Sequence, residues 1–287
     1  MRAGAGHRDG RAQGAGGGKA RRERLDRILV TRGLAKSRER AQALLLSGVV
    51  RVDGRPAGKA GSMVPETAEV TVAAPDHPYV SRGGVKLAGA LDAFRLDPAG
   101  RVALDVGAST GGFTDCLLRR GAARVYALDV GEGQLDWSLR CDPRVVVLEG
   151  RNARYLGPGG LPERVGLAVV DVSFISLRLI LPALPPLLGE GAEVLALVKP
   201  QFEVGRGEVG PGGVVRDAAK HQGSLEAVAA AAMAAGFGVL DACASPLPGA
   251  EGNREFFLRL APGAAGRSGA DLTRLLGGIV HGRQQTA

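Results

Sequence analysis

The feature that most constrains the fold is an alternation of short apolar runs with helical patterns, which begins near residue 102. The runs are apolar at consecutive positions, as in strands buried on both faces. Two stretches with helical spacing, 112–120 and 217–235, lie between them. The pattern predicts an α/β domain with a mostly parallel sheet covered on both sides. The predicted strands are 102–107, 124–130, 144–150, 167–174, 193–200, 237–243 and 254–261.

A smaller unit precedes this domain. Leu25, Ile28 and Leu29 have the spacing of one helix face, and Ser37 is placed to cap a second helix. Two short strands follow, with Asp53-Gly54 as a hairpin turn between them. The segment 75–84 is rich in Pro and Gly, which is typical of a linker. We therefore predict a small α+β domain that ends near residue 74.

Charge is distributed unevenly along the chain. Residues 1–60 contain fifteen Lys/Arg and five Asp/Glu, a net charge of +10, whereas the whole chain carries +8. The rest of the chain therefore carries about −2. Such asymmetry indicates a polyanionic partner for the N-terminal part, although a solvated basic tail would have the same composition.

Several classes of protein are disfavoured. The three cysteines are sparse and lack metal-ligand spacing, which favours a reducing, cytoplasmic location and no metal site. No apolar run is long enough to span a membrane, and the basic N-terminus lacks the apolar stretch of a signal peptide. The first 22 residues have the composition of a disordered tail.

A glycine-rich turn, LDVGASTGGFTD, joins the first predicted strand to a helix. Its glycines allow a ligand to approach the backbone, and the helix N-terminus offers free N–H groups. Asp105 precedes the turn, and a carboxylate there suits a cationic or amino-acid-bearing ligand better than a pyrophosphate. The residues of this candidate ligand site are Asp105, Gly107, Ala108, Ser109, Thr110, Gly111, Gly112 and Phe113.

Two further positions extend this candidate site. Asp129 ends the next strand, 18 residues after Gly111, where a carboxylate can bind the two hydroxyls of a ribose. Asn152 and Ala153 follow the third strand, where an adenine edge could be read. An adenosine with an amino-acid tail, as in S-adenosylmethionine, fits this set, whereas each glycine alone could be only a tight turn.

Charged residues at strand ends form a candidate catalytic group. Asp171 ends the fourth strand, and Lys199 ends the fifth after five apolar residues, so we expect its ammonium to be partly desolvated. Lys86 and Glu255 lie near other predicted element ends. A lysine steered by carboxylates could align a ribose 2′-hydroxyl and accept its proton. A purely structural ion-pair network is the alternative.

The small N-terminal domain offers cations for nucleic acid. Side chains of this kind contact phosphates and provide affinity without sequence choice. Aromatic residues make up only 4% of the chain, which favours recognition of structured RNA by shape. Arg82 in the linker could contact RNA or couple the domains. The candidate RNA-binding residues are Arg24, Arg27, Arg32, Lys36, Arg38, Arg40 and Arg82.

With these residues located, the sequence resembles the TlyA (hemolysin-A-like) family of rRNA 2′-O-methyltransferases, over about 24–260. Those proteins join an S4 RNA-binding domain to an FtsJ-like (RrmJ-like) methyltransferase domain with a Rossmann-like fold. The resemblance is carried by RLDRILVTRGLAKSRERAQALLLSGVVRVDG, YVSRGGVKL, LDVGASTGGFTD, DVSFISL and LVKPQFEVGR.

The resemblance implies roles and boundaries. It implies a catalytic tetrad of Lys86, Asp171, Lys199 and Glu255, with S-adenosylmethionine as donor, ribosomal RNA or subunits as partner, and 2′-O-methylated cytidine as product. The expected division is a basic tail (1–22), an S4-like domain (23–74), a linker (75–84), an FtsJ-like methyltransferase domain (85–262) and a C-terminal tail (263–287).

Three alternatives remain open at this point. A non-catalytic RNA-binding or ribosome-assembly factor would have a degraded donor pocket or tetrad, whereas both are intact here. A haemolysin-like activity would need a segment that enters the membrane, and the sequence predicts none. A base methyltransferase would have prolines where this chain has Asp171-Val172-Ser173-Phe174.

Overall fold

The computed structural model describes residues 21–35, 37–46, 48–72, 77–205 and 207–282. Residues 1–20 of the predicted tail 1–22, and Lys36, therefore lie outside the described residues, whereas Arg22 belongs to the first strand. Within them, a small N-terminal unit precedes a larger α/β domain, as the sequence predicts.

The N-terminal unit contains two helices packed on short antiparallel strands. Its elements are β1 (Arg22–Arg24), α1 (Leu25–Thr31), α2 (Arg38–Leu46), β2 (Val50–Val52), β3 (Arg55–Pro56), β4 (Met63–Pro65) and β5 (Val70–Val72). Strand β2 lies between β3 and β5, and β1 pairs with β4, a pairing that the sequence pattern did not predict. Leu25, Ile28, Leu29 and Ala41 form its core with Val50. The predicted cap is present, since Ser37 Oγ accepts a hydrogen bond from the amide of Arg40.

The larger domain is built on a seven-stranded sheet. Its elements are α3 (Gly83–Ala93), β6 (Val102–Val106), α4 (Gly112–Arg119), β7 (Arg124–Leu128), α5 (Trp137–Arg140), β8 (Val145–Leu148), β9 (Val165–Val170), β10 (Leu188–Val198), α6 (Pro200–Glu203), α7 (Ala218–Ala234), β11 (Phe237–Ala244), β12 (Phe256–Pro262) and α8 (Gly269–Val280). Short 3₁₀ turns occupy Ala153–Tyr155, Leu177–Leu179, Leu181–Ala183, Pro185–Leu187, Pro211–Gly213 and Ala250–Gly252.

The strand order is β11-β12-β10-β9-β6-β7-β8, and β12 runs in the direction opposite to that of the other six strands. The chain first builds outward from β6 to β8 and then continues from β9 on the other side of β6. The order therefore reverses between β6 and β9. In sheets of this kind, ligands bind at the carboxyl ends of the strands beside such a switch point.

Both faces of the sheet are covered, which confirms the α/β prediction. One face packs on α3 and α4 through residues such as Leu87 and Leu117, and the other packs on α7 and α8. Buried strand residues of the first face include Ala103, Ala127, Val169, Leu197 and Phe257. Because side chains alternate along a strand, positions two residues farther on return to the α3 and α4 side.

Two segments differ from the sequence-based expectation. Gly83 and Gly84, placed in the linker, begin α3, where Gly84 lies so close to Tyr79 that a Cβ would sit 2.3 Å from Cγ. The segment 263–287 has the sequence pattern of a tail with an amphipathic helix over 271–281, and the structure contains that helix as α8, but its Leu272, Leu275 and Leu276 are buried against α7 and β11. An apolar helix face of this kind is stable when it is covered, and α7 and β11 cover the apolar face of α8.

No helix in the described part of the chain is long and apolar enough to cross a membrane. Likewise, among the residues that the structure describes, no group of three His, Cys, Asp or Glu side chains could hold a metal ion.

A buried carboxylate organises the N-terminal unit. Asp26 is fully buried and accepts hydrogen bonds from Arg24 Nε (3.0 Å), Arg24 Nη2 (2.8 Å) and Arg38 Nη2 (3.1 Å). The Arg24 guanidinium, helped by Arg38, holds the pKa of Asp26 well below its usual range. The ionised form of Asp26 therefore stabilises the packing of α1 against α2.

We expect Asp26→Asn to lower the stability of this unit by about 2 kcal/mol at pH 7, because charge-assisted hydrogen bonds are lost. Since the folded pKa is depressed, this stabilisation is present above the unfolded value of about 4 and disappears as the pH falls below it. Amide hydrogen exchange of α1 and α2 in the full chain measures the effect. Glu23→Gln, which removes an exposed i,i+4 pair with Arg27, is the matched control and should change exchange little. Equal effects of the two substitutions would contradict the argument.

Candidate active site

The turn after β6 fits closely against two other elements. Gly107 and Gly111 have positive φ angles of 87° and 95°. A Cβ on Gly107 would lie 2.3 Å from the carbonyl oxygen of Asp171, and one on Gly111 would lie 2.2 Å from Leu139 Cδ1. Only glycine allows this close approach, so the turn is held against the end of β9 and against α5.

Asp105, on β6 just before the turn, is fully buried. Its Oδ2 accepts a hydrogen bond from Thr114 Oγ1 at 2.7 Å, while Oδ1 has no hydrogen-bond partner in the described part of the chain. Burial raises the pKa of Asp105 to about 7, and the nearby Asp171 carboxylate adds to the rise against the hydrogen bond from Thr114. A buried acceptor without a partner fits a ligand ammonium group.

Asp129 follows β7 and faces the same turn. Its carboxylate accepts hydrogen bonds from the amides of Ser109 (2.8 Å) and Gly131 (2.7 Å). These bonds fix its orientation, and each oxygen keeps a lone pair for a ribose hydroxyl. Arg151 N, in the next loop, donates to the carbonyl of Asp129. Asn152 then caps the turn that contains buried Ala153, by accepting a bond from Arg154 N.

The predicted ligand residues therefore adjoin the turn after β6, and the structure adds a neighbouring segment, residues 134–139, that the sequence analysis missed. The amide of Asp136 donates to the carbonyl of Thr110, and Ser109 Oγ bonds to Gln134. Leu135 and Leu139 pack over Gly111. Asp136 caps α5 by accepting a bond from Ser138 N, and this Asp-x-Ser pattern was the one local signal available.

Lys199 and Asp171 form an ion pair beside the same turn, with Nζ 2.6 Å from Oδ1. The Lys199 side chain is only 11% exposed, which agrees with the expected desolvation. Its Nζ also donates to Ser173 Oγ at 2.9 Å, a contact that the sequence analysis did not foresee. The ammonium at the carboxyl end of β10 is thus held by two oxygens that follow β9.

A second ion pair joins Lys86 on α3 to Glu255 before β12, with Nζ 2.7 Å from Oε2. Glu255 is almost fully buried. Val198 pairs with Phe256 across the antiparallel β10–β12 ladder, so Lys199 lies opposite Glu255, and directly opposed residues share a face. The four charged residues therefore form two neighbouring ion pairs.

One register explains why these side chains converge. Ala103, Ala127, Val169 and Leu197 face α3 and α4, and the position two residues after each is a charged group at the strand end. Phe257 faces the same way, and Glu255 precedes it by two. Five charged residues thus continue one side of the sheet beyond its apolar core, namely Asp105, Asp129, Asp171, Lys199 and Glu255.

One exposed aromatic ring, Phe174, and one half-buried ring, Phe202, flank this site. Phe174 is 92% exposed and has a φ of 64°, which is unusual for a bulky residue. Its ring centroid lies 5.1 Å from that of Phe202, which follows Lys199 by three residues. Both ion-paired strand ends therefore lead into an aromatic residue at the surface.

Most of the candidate RNA-binding arginines form hydrogen bonds or ion pairs within the protein that the sequence did not predict. Arg24 and Arg38 bind buried Asp26, Arg27 pairs with Glu23, and Arg32 donates to the carbonyls of Glu66 and Ala68. Arg40 pairs with Asp136 of the larger domain at 2.6 Å. Arg82 is exposed, and its Cδ lies 3.2 Å from where a Cβ on Gly48 would be. The buried carboxylate of Asp26 and the carbonyls of Glu66 and Ala68 need hydrogen-bond donors. These arginines supply them, so they have structural contacts as well as charge.

Comparison with known proteins adds independent findings. The profile of the FtsJ-like methyltransferase family matches residues 79–261, and that of the S4 domain matches 23–70. The chain is 55% identical over 242 residues to the 16S/23S rRNA (cytidine-2'-O)-methyltransferase TlyA of Mycobacterium tuberculosis, covering 84% of this chain and 90% of that one. It is 39% identical to Hemolysin A of Brachyspira hyodysenteriae, with 81% and 97% covered.

A solved structure from Streptococcus thermophilus, provisionally described as a hemolysin, superimposes with a TM-score of 0.70. It is 40% identical and covers 91% of this chain and 96% of its own. The agreement extends over both domains.

The raised pKa of Asp105 leads to a prediction about how the stability of the ligand-free chain depends on pH. Because its folded pKa of about 7 lies above the unfolded value of 3.8, the unfolded chain releases this proton first. Stability should therefore fall as the pH rises between these values, by about 1.4 kcal/mol per pH unit at most. Thermal unfolding of the chain and of Asp105→Asn, measured from pH 5 to pH 8, tests this. The variant should lack that component, and identical pH profiles would contradict the assignment.

Proposed function

Since the chain belongs to the FtsJ-like methyltransferase family and has an S4 domain at its N-terminal side, we propose that it methylates a ribose 2′-hydroxyl of ribosomal RNA. S-adenosylmethionine is the methyl donor. The name of the Mycobacterium tuberculosis relative supports cytidine as the target nucleotide. A ribosomal substrate, as RNA or as an assembled subunit, would place the reaction in the cytoplasm.

The observation that carries this proposal is the Lys199–Asp171 ion pair, which adjoins the glycine turn at the switch point of the sheet. The donor would lie along that turn, with its ammonium toward Asp105 and its ribose hydroxyls toward Asp129. When bound, it supplies an electrophilic methyl group on a positively charged sulfur. The acceptor oxygen must then be in line with that methyl group and must lose its proton.

We assign to Lys199 the role of accepting that proton. In its neutral form, Nζ accepts the proton of the 2′-hydroxyl as the oxygen bonds to the methyl group, and Asp171 stabilises the ammonium that results. Ser173 fixes the direction of Nζ through its hydrogen bond. Glu255 lies opposite Lys199 and adds a second carboxylate to the site, while Lys86 compensates the buried charge of Glu255.

Two other features support RNA as the acceptor. The exposed Phe174 ring beside the ion pair offers a stacking surface for the target base once it is out of its helix. The S4 domain adds cations for phosphates, since Arg24, Arg27 and Arg38 keep between 44% and 60% of their side chains exposed despite their ion pairs.

We expect Lys199→Ala to lower the rate of methyl transfer at least 100-fold, because the proton acceptor is removed. Transfer of labelled methyl groups to unmodified ribosomal RNA measures the rate, and calorimetry should show that S-adenosylmethionine still binds. Lys220→Ala, on α7 and bonded to the carbonyl of Glu208, is the matched control. Full activity in Lys199→Ala would reject the mechanism. A wild-type chain that binds RNA but not the donor would instead favour a non-catalytic RNA-binding factor.

The exposed arginines of the S4 domain lead to a separate prediction about RNA binding. Arg27→Ala should weaken RNA binding severalfold at low salt and reduce the slope of log affinity against log salt by about 1. Filter binding at several salt concentrations measures this. Arg274→Ala, an exposed arginine on α8, is the control and should leave the slope unchanged. An unchanged slope for Arg27→Ala would place the RNA elsewhere.

A further inference from the structure

The most exposed aromatic rings lie at one edge of the sheet. The described residues include all eleven aromatic side chains of the chain, and most are buried or half-buried. Trp137, Tyr155 and Phe174 are at least 75% exposed. They follow the consecutive strands β7, β8 and β9, whose carboxyl ends meet at the candidate active site. Single exposed apolar residues are common, but their placement at one functional edge calls for an explanation.

Trp137 is held at a fixed place. It is the first residue of α5 and follows Asp136, whose side chain caps that helix and also pairs with Arg40 of the S4 domain. The amide of Asp136 is bonded to the donor turn through Thr110. The indole therefore lies where the two domains meet. The residue before it, Asp136, contacts both Arg40 of the S4 domain and the donor turn of the larger domain.

Tyr155 lies on the neighbouring loop, which packs against the loop of Trp137. The amide of Gly150 donates to the carbonyl of Gly131, and Arg140 of α5 pairs with Glu149. Ala153, two residues before Tyr155, is buried while the tyrosine ring points outward with 77% exposed. The two loops are thus joined to each other, and both rings project from them near Asp129, to which the donor ribose is assigned.

This surface carries cations that are not neutralised. Arg151 and Arg154 are exposed, and neither pairs with a carboxylate in the described part of the chain. The Arg154 guanidinium instead lies 5.7 Å from the centroid of the Tyr155 ring. Flat rings next to unpaired guanidinium groups match unpaired bases on a phosphate backbone, because bases stack on both and phosphates bind the charge.

We propose that Trp137 and Tyr155 form a stacking site for unpaired RNA bases that flank the target nucleotide, between the S4 domain and the catalytic ion pairs. The inference rests on the proposed function for the identity of the polymer. It assigns this surface to RNA and not to the methyl donor, since both rings face solvent while the donor residues Asp105 and Ala153 are buried.

Trp137 is the single tryptophan of the chain, so its fluorescence reports this site alone. Unmodified transcripts of 16S and 23S ribosomal RNA should quench the emission in a saturable way, and S-adenosylhomocysteine alone should leave it nearly unchanged. Quenching by S-adenosylhomocysteine alone would assign the ring to the donor pocket and overturn the proposal. The titration needs no turnover, so it tests stacking even if methyl transfer fails.

Kinetics give the second measurement. Trp137→Ala and Tyr155→Ala should each raise the KM for RNA about tenfold, since base stacking on an aromatic ring contributes about 1–3 kcal/mol. Trp137→Phe should recover most of the loss, and the KM for S-adenosylmethionine should stay within twofold. Met233→Ala, which removes an exposed apolar side chain from α7, is the matched control.

The outcomes separate the two proposals. An active wild-type chain with no RNA quenching and an unchanged RNA KM in Trp137→Ala would overturn the stacking site and leave the proposed function standing. RNA quenching with no methyl transfer to any ribosomal RNA would support the stacking site and reject the proposed function.

Discussion

The contact between the turn after β6 and the end of β9 is the constraint on which the rest of the structure depends. The Asp171 carbonyl lies where a side chain on Gly107 would have to be. The amide of Asp171 in turn donates to the carbonyl of Val106, which extends the parallel ladder to the last residue of β6. This contact fixes the distance between the glycine turn and Asp171. The candidate donor site and catalytic pair are therefore parts of one rigid edge.

Placing five charged groups on the apolar side of a sheet requires local compensation, because an isolated buried charge is costly. Lys199 and Asp171 compensate each other, as do Lys86 and Glu255. Among the residues that the structure describes, none forms an ion pair with Asp105, and burial raises its pKa to about 7 instead. An uncompensated carboxylate beside two balanced pairs fits a ligand that brings its own positive charge, as the sulfonium and ammonium of S-adenosylmethionine do.

Much of the fold and of the candidate site could be predicted from the sequence. Apolar runs at consecutive positions predicted the covered parallel sheet, and helix and strand bounds agree within a few residues for most elements. The tail prediction for 263–287 missed that α8 is packed on the core, because a helix of moderate amphipathic character gives no indication of its partner. The sequence indicated that the arginines of the S4 domain are available to RNA phosphates, but not that several of them bind groups within the protein. The buried position of Asp26, which recruits two of them, depends on how α1 and α2 pack.

The sequence alone determined the kinds of groups available and the strand ends on which they lie, because strand periodicity and glycine turns are local properties. It placed Asp105, Asp129, Asp171 and Lys199 on the first, second, fourth and fifth predicted strands, at or near their carboxyl ends, without any knowledge of strand order. Tertiary structure decided which groups meet. The antiparallel insertion of β12 beside β10 sets Glu255 opposite Lys199, and the packing of α3 brings Lys86 to Glu255 across 169 positions of chain. Pairings at that separation depend on strand order and layer packing, which no local pattern encodes.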